Sequence, residues 1–218
     1  MLQHYVRIAG IVLALALGGG AVAAAEPDGA ELLERLQDWL DGTRDLSGRF
    51  EQTMQSGALG SGVRESGALY IKRPGRMRWD YLRPESKVAI VDDLRTWLYL
   101  EEDEQLMLGR LEEGTELLPR LLAGDQRIDE LFEAVREEVQ ASKGPYRLRL
   151  VPKDSSDALE QVVLTLRRSS FAIQTAEVTD AAGNRVDYRF SGLKRNRGLR
   201  DDLFRLEPPV GTEILGEH

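Results

Sequence analysis

The sequence predicts a mainly β protein of the α+β class, in which one antiparallel sheet of about ten short strands carries helices on one face. Between residues 46 and 190 most apolar residues recur with a period of two, which is typical of half-buried strands. The helical period appears only near residue 30 and in an insert at about 116–138. Because a twisted sheet of that many strands tends to curl, we expect a concave face that the helices plug.

The first 25 residues have the pattern of a cleavable Sec signal peptide. Arg7 supplies a positive charge, residues 8–17 form a short apolar core, and Ala23-Ala24-Ala25 provides an A-x-A cleavage site. Glycines 18–20 interrupt the apolar run, which is then too short to span a hydrocarbon layer of about 30 Å. We therefore expect an exported protein, and retention as an uncleaved anchor is the alternative.

The full chain has 42% hydrophobic and 30% charged residues, which is typical of a globular protein, and we expect a single domain over residues 26–218. The absence of cysteine excludes disulfides, thiolate chemistry and a lipid attached to an N-terminal cysteine. The net charge is −8, and it becomes one unit more negative when Arg7 is removed with the signal. Such a surface is poorly suited to nucleic acid or to anionic lipid headgroups.

The chain lacks the parts of common catalytic sites. Its two histidines are His4, in the signal segment, and His218, the last residue, so no Ser-His or Cys-His nucleophile and no His/Cys zinc site is expected. We find no dinucleotide fingerprint or phosphate loop, and we predict no metal and no cofactor. The acidic run 101–104 lacks the spaced ligands and glycine of a calcium loop and predicts a solvated hairpin tip. Paired carboxylates leave a hydrolase open as an alternative.

The first predicted helix begins at Asp28, which forms a capping box with Glu31, and ends at Gly42. Its opposite face lacks a basic cluster, which favours packing on a sheet over a position at a membrane surface. The apolar stripe consists of Leu32, Leu33, Leu36, Trp39 and Leu40.

The strands are separated by short turn-like segments. Pro74-Gly75 suits the central positions of a type II turn, and Ala182-Gly183-Asn184 suits a tight hairpin turn. The predicted strands start at residue 46 and continue over 68–72, 77–81, 88–91, 97–100, 105–108, 146–151, 161–166, 173–179 and 186–190.

The strand at 77–81 has an unusually large apolar face made by Met77, Trp79 and Tyr81, with charged residues on its reverse. Taken singly, each such residue is more typical of an ordinary core. The insert favours a different interpretation, because its compact leucine group and a second amphipathic segment resemble a movable cover. The leucine group is Leu117, Leu118, Leu121 and Leu122, and the second segment contains Ile128, Leu131, Phe132 and Val135.

Motifs along nearly the whole chain after the signal resemble the LolA family of periplasmic outer-membrane lipoprotein carriers. The first group is Phe50-x-Gln52, Gly67-x-Leu69-x-Ile71-Lys72-Arg73-Pro74-Gly75, Arg78-Trp79-x-Tyr81, Trp97-x-Tyr99 and Gln105. The second is Leu121-Leu122-Ala123-Gly124, Tyr146-x-Leu148-x-Leu150-x-Pro152-Lys153, Phe190 and Phe204-x-Leu206-x-Pro208-Pro209-x-Gly211. One departure is Asp92-Asp93-Leu94-Arg95, which lacks the glycine that the family usually has there, so the geometry of this turn stays open.

The resemblance implies an unclosed antiparallel β-barrel with a helical lid over its concave face. It also implies a soluble, monomeric periplasmic chaperone that ferries acylated lipoproteins from an inner-membrane ABC exporter to an outer-membrane receptor of similar fold. The family's lid lock falls on Arg73, and the leucines 117, 118, 121 and 122 fall in the lid. The expected acyl-chain cavity is lined by Phe50, Met54, Met77, Trp79, Tyr81, Trp97 and Phe190. A lipid-binding or envelope-stress-sensing domain of the same fold is the alternative.

Overall fold

The computed structural model describes residues 26–56, 62–93, 95–110, 127–137, 144–154 and 159–216. The expected signal peptide and the four lid leucines lie outside these described residues. Within them the chain forms one sheet of twelve strands together with two α-helices and one 3₁₀ turn.

The helices are α1, Gly29–Asp41, and α2, Ile128–Leu131, and the 3₁₀ turn is Asp201–Phe204. The first six strands are β1 Asp45–Gln55, β2 Gly62–Lys72, β3 Arg76–Arg83, β4 Lys87–Asp92, β5 Arg95–Leu100 and β6 Gln105–Arg110. The other six are β7 Phe132–Glu137, β8 Tyr146–Pro152, β9 Leu159–Leu166, β10 Ile173–Asp180, β11 Arg185–Arg195 and β12 Glu213–Leu215.

The sheet is open. Its strand order is β12-β6-β5-β4-β3-β2-β1-β11-β10-β9-β8-β7, so β12 and β7 are the two edges. The paired neighbours run antiparallel except β12, which runs parallel to β6. The prediction of a mainly antiparallel, unclosed sheet is therefore confirmed for the described residues, whereas the helical lid stays a prediction.

Helix α1 begins and ends as its sequence predicts. The Asp28 carboxylate accepts a hydrogen bond of 2.9 Å from the backbone N–H of Glu31 and so satisfies one free donor of the first turn. The Glu31 side chain pairs with Arg35 at 3.2 Å, so the capping box is half formed. Gly42 ends the helix with a φ of −72°, which any residue adopts.

Helix α1 packs on one face of the sheet, here called the inner face, and the opposite face is the outer face. Alternation and register place Ile71, Met77 and Val91 side by side on the inner face, and Leu69 beside Trp79. These residues and the buried stripe of α1 belong to one continuous apolar cluster. Fully burying a leucine is worth about 1.5–3 kcal/mol, so this cluster is the main source of stability.

Two turns meet at one end of β3. Gly75 has a φ of +74°, as predicted for its position, and the Arg73–Pro74 peptide bond is cis. The missing family glycine is replaced by Asp93, which adopts a φ of +55° and donates its backbone N–H to the Gly75 carbonyl at 2.9 Å. Aspartate tolerates this left-handed region better than most residues do. The hairpin closes with Asp92 opposite Arg95.

The sequence analysis expected the second amphipathic segment of the insert to be helical, but only its first part is a helix. Residues from Ile128 to Leu131 form one helical turn, and the chain then continues as the edge strand β7 paired with β8. Short apolar runs fit both periods, and here pairing with β8 decides between them. Strand β12, beyond the two prolines, was also missed because its three residues carry no alternation signal.

Residues 198–207, here called the strap, cross the outer face of β2–β4. Lys72 Nζ donates to the Leu199 carbonyl at 2.8 Å and to the Asp201 carboxylate at 2.5 Å. Arg76 reaches the same carboxylate at 2.7 Å, and Arg78 donates to the Leu203 carbonyl at 2.9 Å. The charged reverse of β3 is thus the surface that holds the strap.

Candidate functional site

Aromatic rings gather on the inner face across β1 and β3. The Phe50 ring meets Trp79 edge-on with centroids 4.7 Å apart and Tyr81 edge-on at 5.0 Å. Such pairs add about 0.5–1.5 kcal/mol each beyond the area they bury. The structure therefore brings three of the expected cavity residues into one packed group.

Tyr188 extends this group and was missed in the sequence analysis. Its ring lies 5.8 Å from Trp79 and stacks on Phe190 with centroids 6.2 Å apart. The alternation of Val186, Tyr188 and Phe190 along one strand contained the necessary signal. We call Phe50, Trp79, Tyr81, Tyr188 and Phe190 the aromatic cluster.

The other residues expected to line the acyl-chain cavity differ in burial. Met77 is fully buried beside Ile71, whereas Met54 is half-buried between Val63 on β2 and Val186 on β11. Phe190 borders a cavity of about 410 Å³ that Trp39 and Arg195 also line. The Arg195 guanidinium stacks over Trp39 at 4.8 Å, and burial lowers its pKa from the usual value.

The expected acyl-chain surface is closed in this structure, because the central rings of the aromatic cluster are buried. Phe50 is 1% exposed and Trp79 is 7% exposed, so both lie against other side chains of the protein. A hydrocarbon chain therefore reaches them only when these side chains separate from their present neighbours.

The prediction that Trp97 lines the same surface as Trp79 is wrong. Trp97 pairs with Ile90, and Ile90 pairs with Arg78, so the indole lies on the outer face. There it borders a groove of about 630 Å³ that it shares with Phe204 of the strap. Two residues separate Asp92 from its partner Arg95, and this length decides which face of β5 points inward.

Polar side chains cross the inner face next to the aromatic cluster. Glu65, which is 6% exposed, accepts hydrogen bonds from Lys87 Nζ at 2.5 Å and from Gln52 Nε2 at 3.3 Å. The Tyr81 hydroxyl lies 3.5 Å from Gln52 Oε1, and the Lys87 ammonium lies 4.5 Å from the Tyr81 ring centroid. We call Gln52, Glu65, Tyr81 and Lys87 the polar cluster.

Residues 41–207 match the family described as outer membrane lipoprotein carrier protein LolA. The match covers the strands β1 to β11, both clusters and the whole strap. The chain belongs to the LolA family.

Relatives named outer-membrane lipoprotein carrier protein align with most of the chain. The protein of Azotobacter vinelandii is 29% identical over 209 residues, which are 94% of this chain and 98% of that protein. The protein of Methylococcus capsulatus is 28% identical over 182 residues, covering 83% of this chain and 86% of its own.

Solved structures support the fold. An uncharacterised conserved protein from Thermus thermophilus superposes with a TM-score of 0.55 at 14% identity, over 85% of this chain and 97% of its own. An outer membrane lipoprotein-sorting protein domain from Vibrio parahaemolyticus gives 0.50 at 13% identity, over 81% and 95%. At these identities the likeness concerns the fold alone.

Arg73, which the sequence analysis expects to be the lid lock, is largely buried, with a side chain 12% exposed. Arg73 Nη2 lies 3.7 Å from the Asp41 carboxylate at the end of α1, and its backbone N–H donates to the Arg44 carbonyl at 2.9 Å. The C-terminal end of a helix attracts positive charge, and the nearby Arg73 guanidinium supplies it. This burial does not fit an arginine that simply faces solvent beside a turn.

Neither a metal site nor a membrane span is found in the part of the chain that the structure describes. No group of three or more histidine, cysteine or acidic side chains is arranged to hold a metal ion there. Among the same residues, no helix has the length and apolar character needed to cross a bilayer.

Proposed function

We propose that this LolA-family protein is a non-enzymatic chaperone that carries acylated lipoproteins, with their acyl chains held against the inner face. The observation that carries the proposal is the family match over 41–207, supported by relatives that bear the name of lipoprotein carriers. The aromatic cluster supplies an apolar surface of the right kind, since Phe50 and Trp79 form its centre.

The energetics require such a surface. Burying acyl methylene groups is worth about 0.8 kcal/mol each, so moving one long chain into water costs on the order of 10 kcal/mol. A carrier must offset most of this cost with its own apolar contacts. The burial of the aromatic cluster is consistent with an empty carrier, because an exposed apolar surface of this kind would promote aggregation.

The leucines 117, 118, 121 and 122 act in this proposal as the lid, and Arg73 holds the lid closed when the carrier is empty. Arg73 supports the assignment by its burial beside the end of α1. Exposing each leucine on opening costs about 1.5–3 kcal/mol, which the incoming acyl chains offset.

The partners and location follow from the same proposal. The protein acts as a monomer in the periplasm after loss of residues 1–25. It receives cargo from an inner-membrane ABC exporter and delivers it to an outer-membrane receptor of similar fold. The receptor must bind the acyl chains more tightly than the carrier does, because only a difference in affinity drives transfer.

Acyl binding is tested with a fluorescent fatty-acid probe on two tryptophan variants. We expect Trp79→Leu to weaken probe binding by about tenfold, since it removes the centre of the aromatic cluster and about 1.4 kcal/mol corresponds to that factor. Trp97→Leu is the matched control, because its indole lies on the outer face. Equal weakening by both variants would contradict the placement of the site.

Handover is tested in a two-protein assay that follows a lipoprotein from the carrier to the receptor. We expect Arg73→Leu to keep the fold but to slow transfer, because the balance between open and closed lid changes. Arg83→Leu, an exposed arginine on β3, is the control. Identical transfer rates for wild type and Arg73→Leu would refute the lock, and turnover of a lipid or glycan substrate would favour an enzyme instead.

A further inference from the structure

The polar cluster lies within the inner face itself. Gln52 on β1 pairs with Glu65 on β2, and Tyr81 on β3 pairs with Lys87 on β4. Four neighbouring strands thus contribute one polar side chain each to a row that crosses the sheet. Tyr81 belongs to both clusters, so the row directly borders the aromatic rings.

Stability alone does not account for this row. Removing two charges from water is costly, and replacing a buried ion pair by well-packed apolar residues is often neutral or stabilising. The Glu65 side chain is 8% exposed and that of Lys87 is 23% exposed. The carboxylate has therefore lost most of its contact with water, whereas the lysine keeps part of its own.

The described residues engage only part of the hydrogen-bonding capacity of Lys87. An ammonium carries three N–H donors, and among the described residues Lys87 Nζ donates one hydrogen bond, to Glu65. The Tyr81 ring at 4.5 Å and the Glu65 carboxylate hold the ammonium in place from two sides. The cluster therefore presents a positioned cation, with N–H donors that no described residue engages, at the border of an apolar surface.

We propose that the polar cluster binds the ester carbonyl groups that join acyl chains to the lipoprotein, with Lys87 Nζ as the donor. This inference rests on the proposed function. Ester oxygens accept hydrogen bonds and donate none, and burying them without a donor is costly. The hydrocarbon then runs from Lys87 along Tyr81 towards Phe50 and Trp79. Glu65 is a positioning residue because it holds Lys87, and Gln52 is one because it donates a hydrogen bond to Glu65.

The test compares two synthetic cargoes on the mature full-length protein by displacement of a fluorescent fatty-acid probe. One is a triacylated lipopeptide with two ester linkages and one amide linkage, and the other is its analogue with both esters replaced by ethers. We expect wild type to bind the ester form about tenfold more tightly, as a hydrogen bond from a charged donor allows.

The variants assign the donor. Because Lys87→Met alone leaves Glu65 buried and unpaired, the main variant is the double change Lys87→Met with Glu65→Gln, which leaves no lone charge. We expect this variant to bind ester and ether forms equally. Lys87→Arg should retain the preference, and so should Lys194→Met, the control at an exposed lysine of β11.

Equal affinity of wild type for the two cargoes would overturn the inference while leaving the carrier function intact. A preference that persists in the double variant would also overturn it, since the donor would then lie elsewhere. Failure of wild type to bind either cargo is a different result, because it would overturn the proposed function and this inference with it.

Discussion

Gly67 determines how closely the aromatic rings approach the sheet. A Cβ atom at this position would lie 1.9 Å from the Asp80 carbonyl oxygen on β3 and 2.9 Å from the Phe50 ring. The first contact is with backbone, which cannot move aside without disturbing the pairing of β2 and β3. The glycine is therefore needed for space.

We expect Gly67→Ala to lower the free energy of unfolding by about 3 kcal/mol or more, at the upper end of the cost of overpacking. Gly109→Ala is the matched control, because its added Cβ would meet only the Thr96 hydroxyl, at 3.0 Å. Denaturant unfolding of both variants measures the difference, and similar values for the two would show that the sheet adapts to the methyl group.

At the scale of elements, Gln37 links α1 to the chain that follows the insert. Its amide nitrogen donates to Asp41 at 2.8 Å, and its amide oxygen accepts from the backbone N–H of Ile128 at 3.0 Å. Asp41 in turn lies 3.7 Å from Arg73. The end of α1 thus connects the turn at the proposed lid lock with the first turn of α2.

We expect Gln37→Leu to reduce stability by about 1–3 kcal/mol, because the Ile128 N–H is left buried without its acceptor. Leucine is a good helix former, so the helix itself should not suffer. Gln55→Leu makes the same change at an exposed glutamine of β1. A thermal unfolding midpoint unchanged from wild type would mean that another acceptor replaces Gln37.

At the scale of the whole molecule, the two faces of the sheet are stabilised differently. The inner face buries apolar side chains against α1, whereas the outer face holds the strap with ion pairs from Lys72 and Arg76 as well as with the buried side chain of Phe204. Hydrogen bonding to Lys72, with the positive charge of that lysine and of Arg76, holds the pKa of Asp201 below its ordinary value. Attachment of the strap should therefore depend on pH.

Because the pKa of Asp201 is lowered in the folded state, its contribution is present above the ordinary aspartate pKa of about 4 and is lost as the pH falls below it. We expect the thermal unfolding midpoint of wild type to fall between about pH 5 and 2 more steeply than that of Asp201→Asn. Asp103→Asn, on the exposed turn after β5, is the control. If the unfolding midpoints of wild type and Asp201→Asn fell in parallel with pH, the contact between Asp201 and the sheet would not be the cause of the pH dependence.

Much of the site was predictable because strand alternation is a local property. Met77, Trp79 and Tyr81 share one face of the sheet because residues two apart on a strand point the same way, and the same rule places Tyr188 on the face of Phe190. The polar cluster was not predictable in this way. Gln52, Glu65 and Lys87 come from three strands, and they meet only through the register between them.

By itself the sequence determined the class of the fold, the bounds and buried stripe of α1, the family, and the apolar face of β3. Each of these depends on residues close together in the chain or on motifs read directly. Only the tertiary structure decided that Trp97 faces outward, that residues 132–137 form an edge strand, and that the strap covers the outer face. The reason is that side-chain facing is transmitted between strands by turn length and pairing, which local patterns do not contain.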